Sequence, residues 1–172
     1  LGARFADANF FVREDVKLKL EEYRPKLSAL TFHTKLGSML DKSNRMLKLG
    51  AMLGFKDVLE IKYLARAVLL SKADLATQMV TEMTSLQGII GGEYALRSGE
   101  SAEVAQAISE QYQAVPKTKI GLALALSDRI DSLVGLFAAG LAPTGAKDPF
   151  GLRRSAISRL AMILMRDTTA RR

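Results

Sequence analysis

The sequence predicts an all-α protein, a single compact domain over residues 1–172 with about seven to nine helices. Three observations carry this. Apolar residues recur at spacings of three and four, as in Leu122, Leu126, Ile130, Leu133 and Phe137, and that period belongs to a helix. No segment alternates apolar and polar residues in the manner of a half-buried strand. Helix punctuation sits at the ends of the stripes, with Ser101 as an N-cap and Gly140 and Pro143 as a stop.

Near the start, Asp7 can cap a short helix bearing Phe10 and Phe11, and Val16, Leu20, Tyr23 and Leu27 form a second stripe. Beyond Gly37, the residues Met39, Leu40, Met46 and Leu47 read as the apolar face of a helix, with Lys42 and Arg45 opposite. His33, just before it, is the single histidine and reads as a surface or packed residue. Val58, Ile61, Ala65, Val68 and Leu69 are the expected core face of the next helix. Leu75, Met79, Val80, Met83 and Leu86 follow as another stripe, its methionines filling gaps in the core.

Gly88, Gly91 and Gly92 read as a turn region; no strand precedes them, so they make no phosphate loop. Ser101, with Glu103 in the first turn, opens a helix whose stripe is Val104, Ala107, Ile108 and Tyr112. The stripe from Leu122 to Phe137 comes next. Thr144-Gly145 turn the chain, and Asp148-Pro149 start a last helix carrying Ile157, Ala161 and Leu164 and ending in Arg166, Arg171 and Arg172.

Composition narrows function. Apolar residues make up 48% and charged residues 25%, ordinary for a globular domain. No apolar run reaches the roughly 20 residues of a membrane span. The absence of cysteine excludes disulfides and thiolate metal sites, and one histidine excludes a multi-imidazole site. A net charge of +7 and a pI near 9.8 favour a polyanionic partner, nucleic acid being the commonest. The start at Leu1, without methionine, suggests a fragment or a processed form.

Particular wordings say more. Asp-Arg-Ile-Asp-Ser-Leu-Val-Gly at Asp128–Gly135 and Pro-Thr-Gly-Ala-Lys-Asp-Pro-Phe-Gly-Leu-Arg-Arg at Pro143–Arg154 closely resemble the β subunit of the bacterial-type, two-subunit glycyl-tRNA synthetase. Arg4–Phe11, Lys72–Glu82 and Leu86–Gly88 resemble further motifs of the same family. The wording of Glu82–Ser85 is nearest its cyanobacterial and plastid members, which points to a plastid or other organelle, with a bacterial cytoplasm as the alternative. Between Gln113 and Ala114 the family usually carries several more residues, and the stretch from Arg45 to Lys72 is also a few residues short.

The resemblance implies an HD-like helical domain, related to metal-dependent phosphohydrolases and forming the middle of a β subunit. It places Asp74 at the motif's aspartate and Ala73 where the ligating histidine belongs; Asp128 or Asp131 would supply the distant carboxylate. With that histidine missing, no metal, no cofactor and no catalytic residue are expected. Asp128 and Asp131, three apart on one helix face, could do acid–base work but are favoured as a structural ion-pair network. Neither Ser71 nor Ser127 has a base beside it in sequence. The family's adenylate-forming site lies in the separate α subunit.

The expected function is therefore a non-catalytic scaffold of a glycine–tRNA ligase β subunit that contacts tRNA or other structured RNA. Its partners would be the rest of the β subunit and the α subunit, with no membrane. The alternative is a synthetase-derived fragment kept as an RNA-binding component of a larger ribonucleoprotein assembly, such as an organellar ribosome. Lys147, Arg153 and Arg154, at the start of the last helix, are the candidate phosphate-binding residues.

Overall fold

The computed structural model describes residues 2–141, with side chains from residue 6 onward. Lys147, Arg153, Arg154 and the Asp148-Pro149 helix start lie outside the described residues.

Eight α-helices run in order through the described residues: α1 (Gly2–Asp15), α2 (Leu20–Tyr23), α3 (Met39–Ala51), α4 (Val58–Leu70), α5 (Gln78–Glu82), α6 (Ile89–Arg97), α7 (Ala102–Glu110) and α8 (Lys119–Ala138). Three 3-10 turns join them, at Arg24–Ala29, Ala73–Ala76 and Thr84–Leu86. Helices α3, α4, α7 and α8 pack on one another, α6 lies on α7, and α1 reaches back to α5. The shared core holds Leu20, Met46, Val68, Tyr94, Ile108 and Leu124, all buried.

The all-α expectation holds, with one small exception. Strands β1 (Thr31–His33) and β2 (Gly37–Ser38) pair antiparallel, Thr31 opposite Ser38 and His33 opposite Gly37. These strands are too short to show an alternating pattern. Their turn is closed by Leu36 N–H donating to the His33 carbonyl at 2.9 Å.

Helix starts follow side-chain capping. Ser38 Oγ accepts from Asp41 N–H at 3.2 Å while Asp41 Oδ2 accepts from Ser38 N–H at 2.8 Å, a reciprocal box at the start of α3. Asp57, Thr77 and Thr118 cap α4, α5 and α8, and Ser101 caps α7 as its position suggested. Each such cap contributes about 1 kcal/mol. Gly140, at φ +85°, ends α8 as expected.

Several faces differ from those the apolar pattern suggests. In α4 the buried residues are Leu64, Ala67, Val68 and Leu70, whereas Val58 is 81% exposed. The stripe from Leu75 to Leu86 is three short pieces. There Thr77 Oγ1 donates to the Asp74 carbonyl at 2.6 Å, and such local side-chain bonds compete with helix propagation. Asp7 lies inside α1 and caps nothing, and Phe10 is about half exposed.

Gly91 and Gly92 belong to α6 and let it sit tightly on α7. A Cβ on Gly91 would lie 2.9 Å from both Asp74 Oδ2 and Ile108 Cγ2, and one on Gly92 would lie 2.7 Å from the Ala105 carbonyl oxygen. The backbone oxygen cannot retreat cheaply. We therefore expect Gly92→Ala to lower stability by about 1–3 kcal/mol in denaturant titration, overpacking outweighing its gain in helix propensity.

Candidate functional site

The most polar part of the interior lies between α3 and α8. The buried residues of α3 are Lys42, Ser43, Met46 and Gly50, and those of α8 include Ser127 and Asp131. Both helices thus turn a partly polar face inward. Lys42, expected opposite the core, is 3% exposed, and the apolar Phe137 of α8 is 48% exposed.

The reason is a ladder of alternating charges. Lys42 Nζ lies 2.9 Å from Asp128 Oδ1 and 3.1 Å from Asp131 Oδ2, and donates to Ser132 Oγ at 2.7 Å. Arg45 closes one end as a fork, with Nε 2.6 Å from Asp131 Oδ1 and Nη2 3.1 Å from Asp131 Oδ2. Lys72 closes the other, its Nζ 2.6 Å from Asp128 Oδ2, 2.9 Å from Gln111 Oε1 and 3.1 Å from the Tyr112 hydroxyl. Gln111 is held in turn by donating to the Ser71 carbonyl at 2.7 Å. The Phe32 ring packs against Lys42 Nζ and the Tyr112 ring against Lys72 Nζ, both at 4.4 Å from the ring centre.

Each carboxylate therefore has two internal cations. Burial disfavours the Asp128 anion, but Lys72 and Lys42 outweigh that and hold its carboxyl far below the usual carboxylate range. Burial likewise opposes the Lys72 ammonium, yet the Asp128 carboxylate beside it raises its pKa. The expected ion-pair role of Asp128 and Asp131 is what the geometry displays, with Lys42, Lys72 and Arg45 as the partners. The apolar pattern missed both lysines, since a buried lysine looks like a solvated one until its partner is placed.

Asp74 stands apart from the ladder. It is completely buried at the start of α6, where Oδ2 accepts from Gly88 N–H at 2.6 Å, and Oδ1 has no hydrogen-bond partner. Burial pushes its carboxyl up, against the pull of the Gly88 N–H and Lys72. Gly88 has φ +80°, and a Cβ there would lie 2.8 Å from the Tyr112 ring, so glycine suits the turn. Among the described residues, no three His, Cys, Asp or Glu side chains gather to hold a metal ion.

Comparison with known proteins gives this arrangement its context. The family model described as glycyl-tRNA synthetase beta subunit matches residues 1–171. The chain belongs to that family. It is 44% identical over 167 residues to the glycine–tRNA ligase beta subunit of Pseudomonas fluorescens Pf-5, covering 94% of this chain and 24% of that protein. It is 46% identical over 179 residues to the counterpart from Desulforudis audaxviator, covering 99% of this chain and 26% of the relative. The chain thus spans about a quarter of the length of these beta subunits. Among the described residues, no helix is long and apolar enough to cross a membrane.

The ladder sets a pH window. The Asp128 contribution is present above the unfolded carboxylate pKa of about 3.9 and is lost as pH falls toward the depressed folded value. The Lys72 contribution is present below about 10.4 and is lost as pH rises through the raised folded value. In denaturant titrations, Asp128→Asn should lose about 3–5 kcal/mol at pH 7 by leaving buried ammonium groups underpaired, and its acid limb should be flatter than that of the parent.

Asp74 has the opposite sign. Its raised carboxyl favours folding at low pH, and that contribution fades as pH rises. The stability deficit of Asp74→Asn relative to the parent should therefore shrink as pH rises above the unfolded carboxylate pKa of about 3.9, and a growing deficit would contradict this.

Proposed function

We propose that this chain is a non-catalytic, RNA-contacting scaffold segment of a glycine–tRNA ligase β subunit, HD-like in descent. The observation that carries the reading is the occupation of Asp128 by Lys42 and Lys72, and of Asp131 by Lys42 and Arg45. A carboxylate that accepts protons in catalysis works best with a pKa near the operating pH. Asp128 is held far below that, with both its oxygens engaged. Asp74, at the other position the motif indicates, is turned onto a helix start with its polar atoms away from solvent.

The net charge of +7 supports a polyanionic partner, and the family supports tRNA as that partner. Lys147, Arg153 and Arg154 remain the residues we propose for phosphate contact. The remainder of a β subunit and an α subunit are the proposed protein partners. The wording of Glu82–Ser85 supports a plastid or other organelle as the compartment.

Two measurements on the purified chain test this. With ATP, glycine and tRNA it should form neither glycyl-adenylate nor glycyl-tRNA. Filter binding should detect tRNA, with an affinity that falls steeply as salt rises. Lys147→Gln with Arg153→Gln should weaken that binding and flatten the salt slope by up to about two, leaving the melting temperature unchanged. Adenylate formation, or tRNA affinity indifferent to salt and to both substitutions, would overturn the reading.

A further inference from the structure

An apolar cleft of about 130 Å³ opens between α3 and α4, lined by Leu47, Phe55, Ile61, Leu64 and Val68. A dry void of roughly 150 Å³ accepts a benzene-sized molecule, so this one suits a single aliphatic side chain. Ile61, one of the lining residues, is 45% exposed, so the cleft opens to solvent. Nearby along the chain, Met52 is 79% exposed and Val58 81%. Single exposed apolar residues are ordinary, but an apolar cleft open at the surface suits a contact.

The rim is cationic. Lys48, Lys56 and Lys62 are exposed and adjoin the cleft residues Leu47, Phe55 and Ile61 in sequence. Lys119 Nζ lies 4.9 Å from the centre of the Phe55 ring. Of the two nearby carboxylates, Asp57 caps α4 and Glu60 pairs with Lys119. Lys48, Lys56 and Lys62 form no ion pair among the described residues.

Charge discriminates between occupants. Residues 142–172 carry seven Lys or Arg against two Asp, so a lysine rim repels them. A second copy presents the same cationic rim and meets the same repulsion. A nucleic-acid backbone matches the lysines but offers no aliphatic group for the cleft.

We propose that the α3–α4 cleft docks an amphipathic helix of a partner protein, which seats one aliphatic anchor in the cleft and presents acidic residues to the lysine rim. Helices recognised in apolar grooves are read through anchors at i, i+3, i+4 and i+7, and rim charges set orientation and salt dependence.

The test uses the full 172-residue chain and a fluorescein-labelled synthetic helix, with leucines at those positions and glutamates on the flanks. The control is the same peptide with lysine flanks. The glutamate peptide should bind about ten-fold tighter than the control and weaken as salt rises. Ala65→Trp, at the exposed edge of the cleft, and Lys48→Glu with Lys62→Glu should each weaken it about ten-fold, with melting temperature unchanged. Equal binding of the two peptides, or indifference to both variants, would overturn the proposal. So would binding only after residues 142–172 are removed, which would make that segment the occupant. Dimerisation abolished by Ala65→Trp would make it a second copy.

Discussion

The arrangement of the helices depends on one interaction, the charge ladder Lys72–Asp128–Lys42–Asp131–Arg45. It joins α3 to α8 and both to the segment that follows α4. Desolvating five charged groups is costly, and their mutual attraction offsets this only if every one finds its partners. Here the donors are nearly all used: Lys42 has Asp128, Asp131 and Ser132, and Lys72 has Asp128, Gln111 and Tyr112. One consequence is directional. An apolar helix face tolerates small rotations, whereas sliding α8 past α3 would leave a lysine without its carboxylate.

The same rule governs the other buried carboxylates. Asp15 accepts from Gln78 N–H at 2.9 Å and Met79 N–H at 3.0 Å, fastening the end of α1 to the start of α5. Glu110 accepts from Lys117 N–H at 3.0 Å and Thr118 N–H at 2.9 Å, which closes the short connection from α7 to α8. Asp74 also holds the start of α6, through Gly88 N–H, but with one oxygen left unpartnered and its carboxyl pushed up by burial. Helix starts expose unsatisfied N–H groups, and a carboxylate from elsewhere in the fold satisfies them while tying two elements together. The carboxylates that resemblance to a catalytic fold singles out are thus part of a wider set with mechanical roles. That is why a scaffold reading fits them better than a chemical one.

Much of this was legible in the sequence. Periodicity revealed the helical class, Ser101 and Gly140 marked ends correctly, and the motif wording identified the family. The inward faces of α3 and α8 were not legible. Apolar periodicity counts Met39, Leu40, Leu126 and Ile130 as core and discards Lys42, Ser127 and Asp131. The last three are buried because of one another, a fact of tertiary pairing that no local window contains. Val58 was misread for a related reason, as an apolar residue at the exposed start of α4, whose buried face belongs to Leu64, Ala67, Val68 and Leu70. Asp15 escaped notice because its partners, two backbone N–H groups and the Tyr94 hydroxyl, lie some sixty to eighty residues away.

The central claim is that Asp128 exists to hold Lys72 and Lys42 in place. A double-mutant cycle between Lys72 and Asp128, read by denaturant unfolding at pH 7, tests it most directly. With Lys72→Met and Asp128→Leu, each single change should destabilise strongly, while the double variant recovers much of the loss, a coupling of at least about 2 kcal/mol. Additive losses, or an Asp128 variant that keeps full stability, would contradict the account.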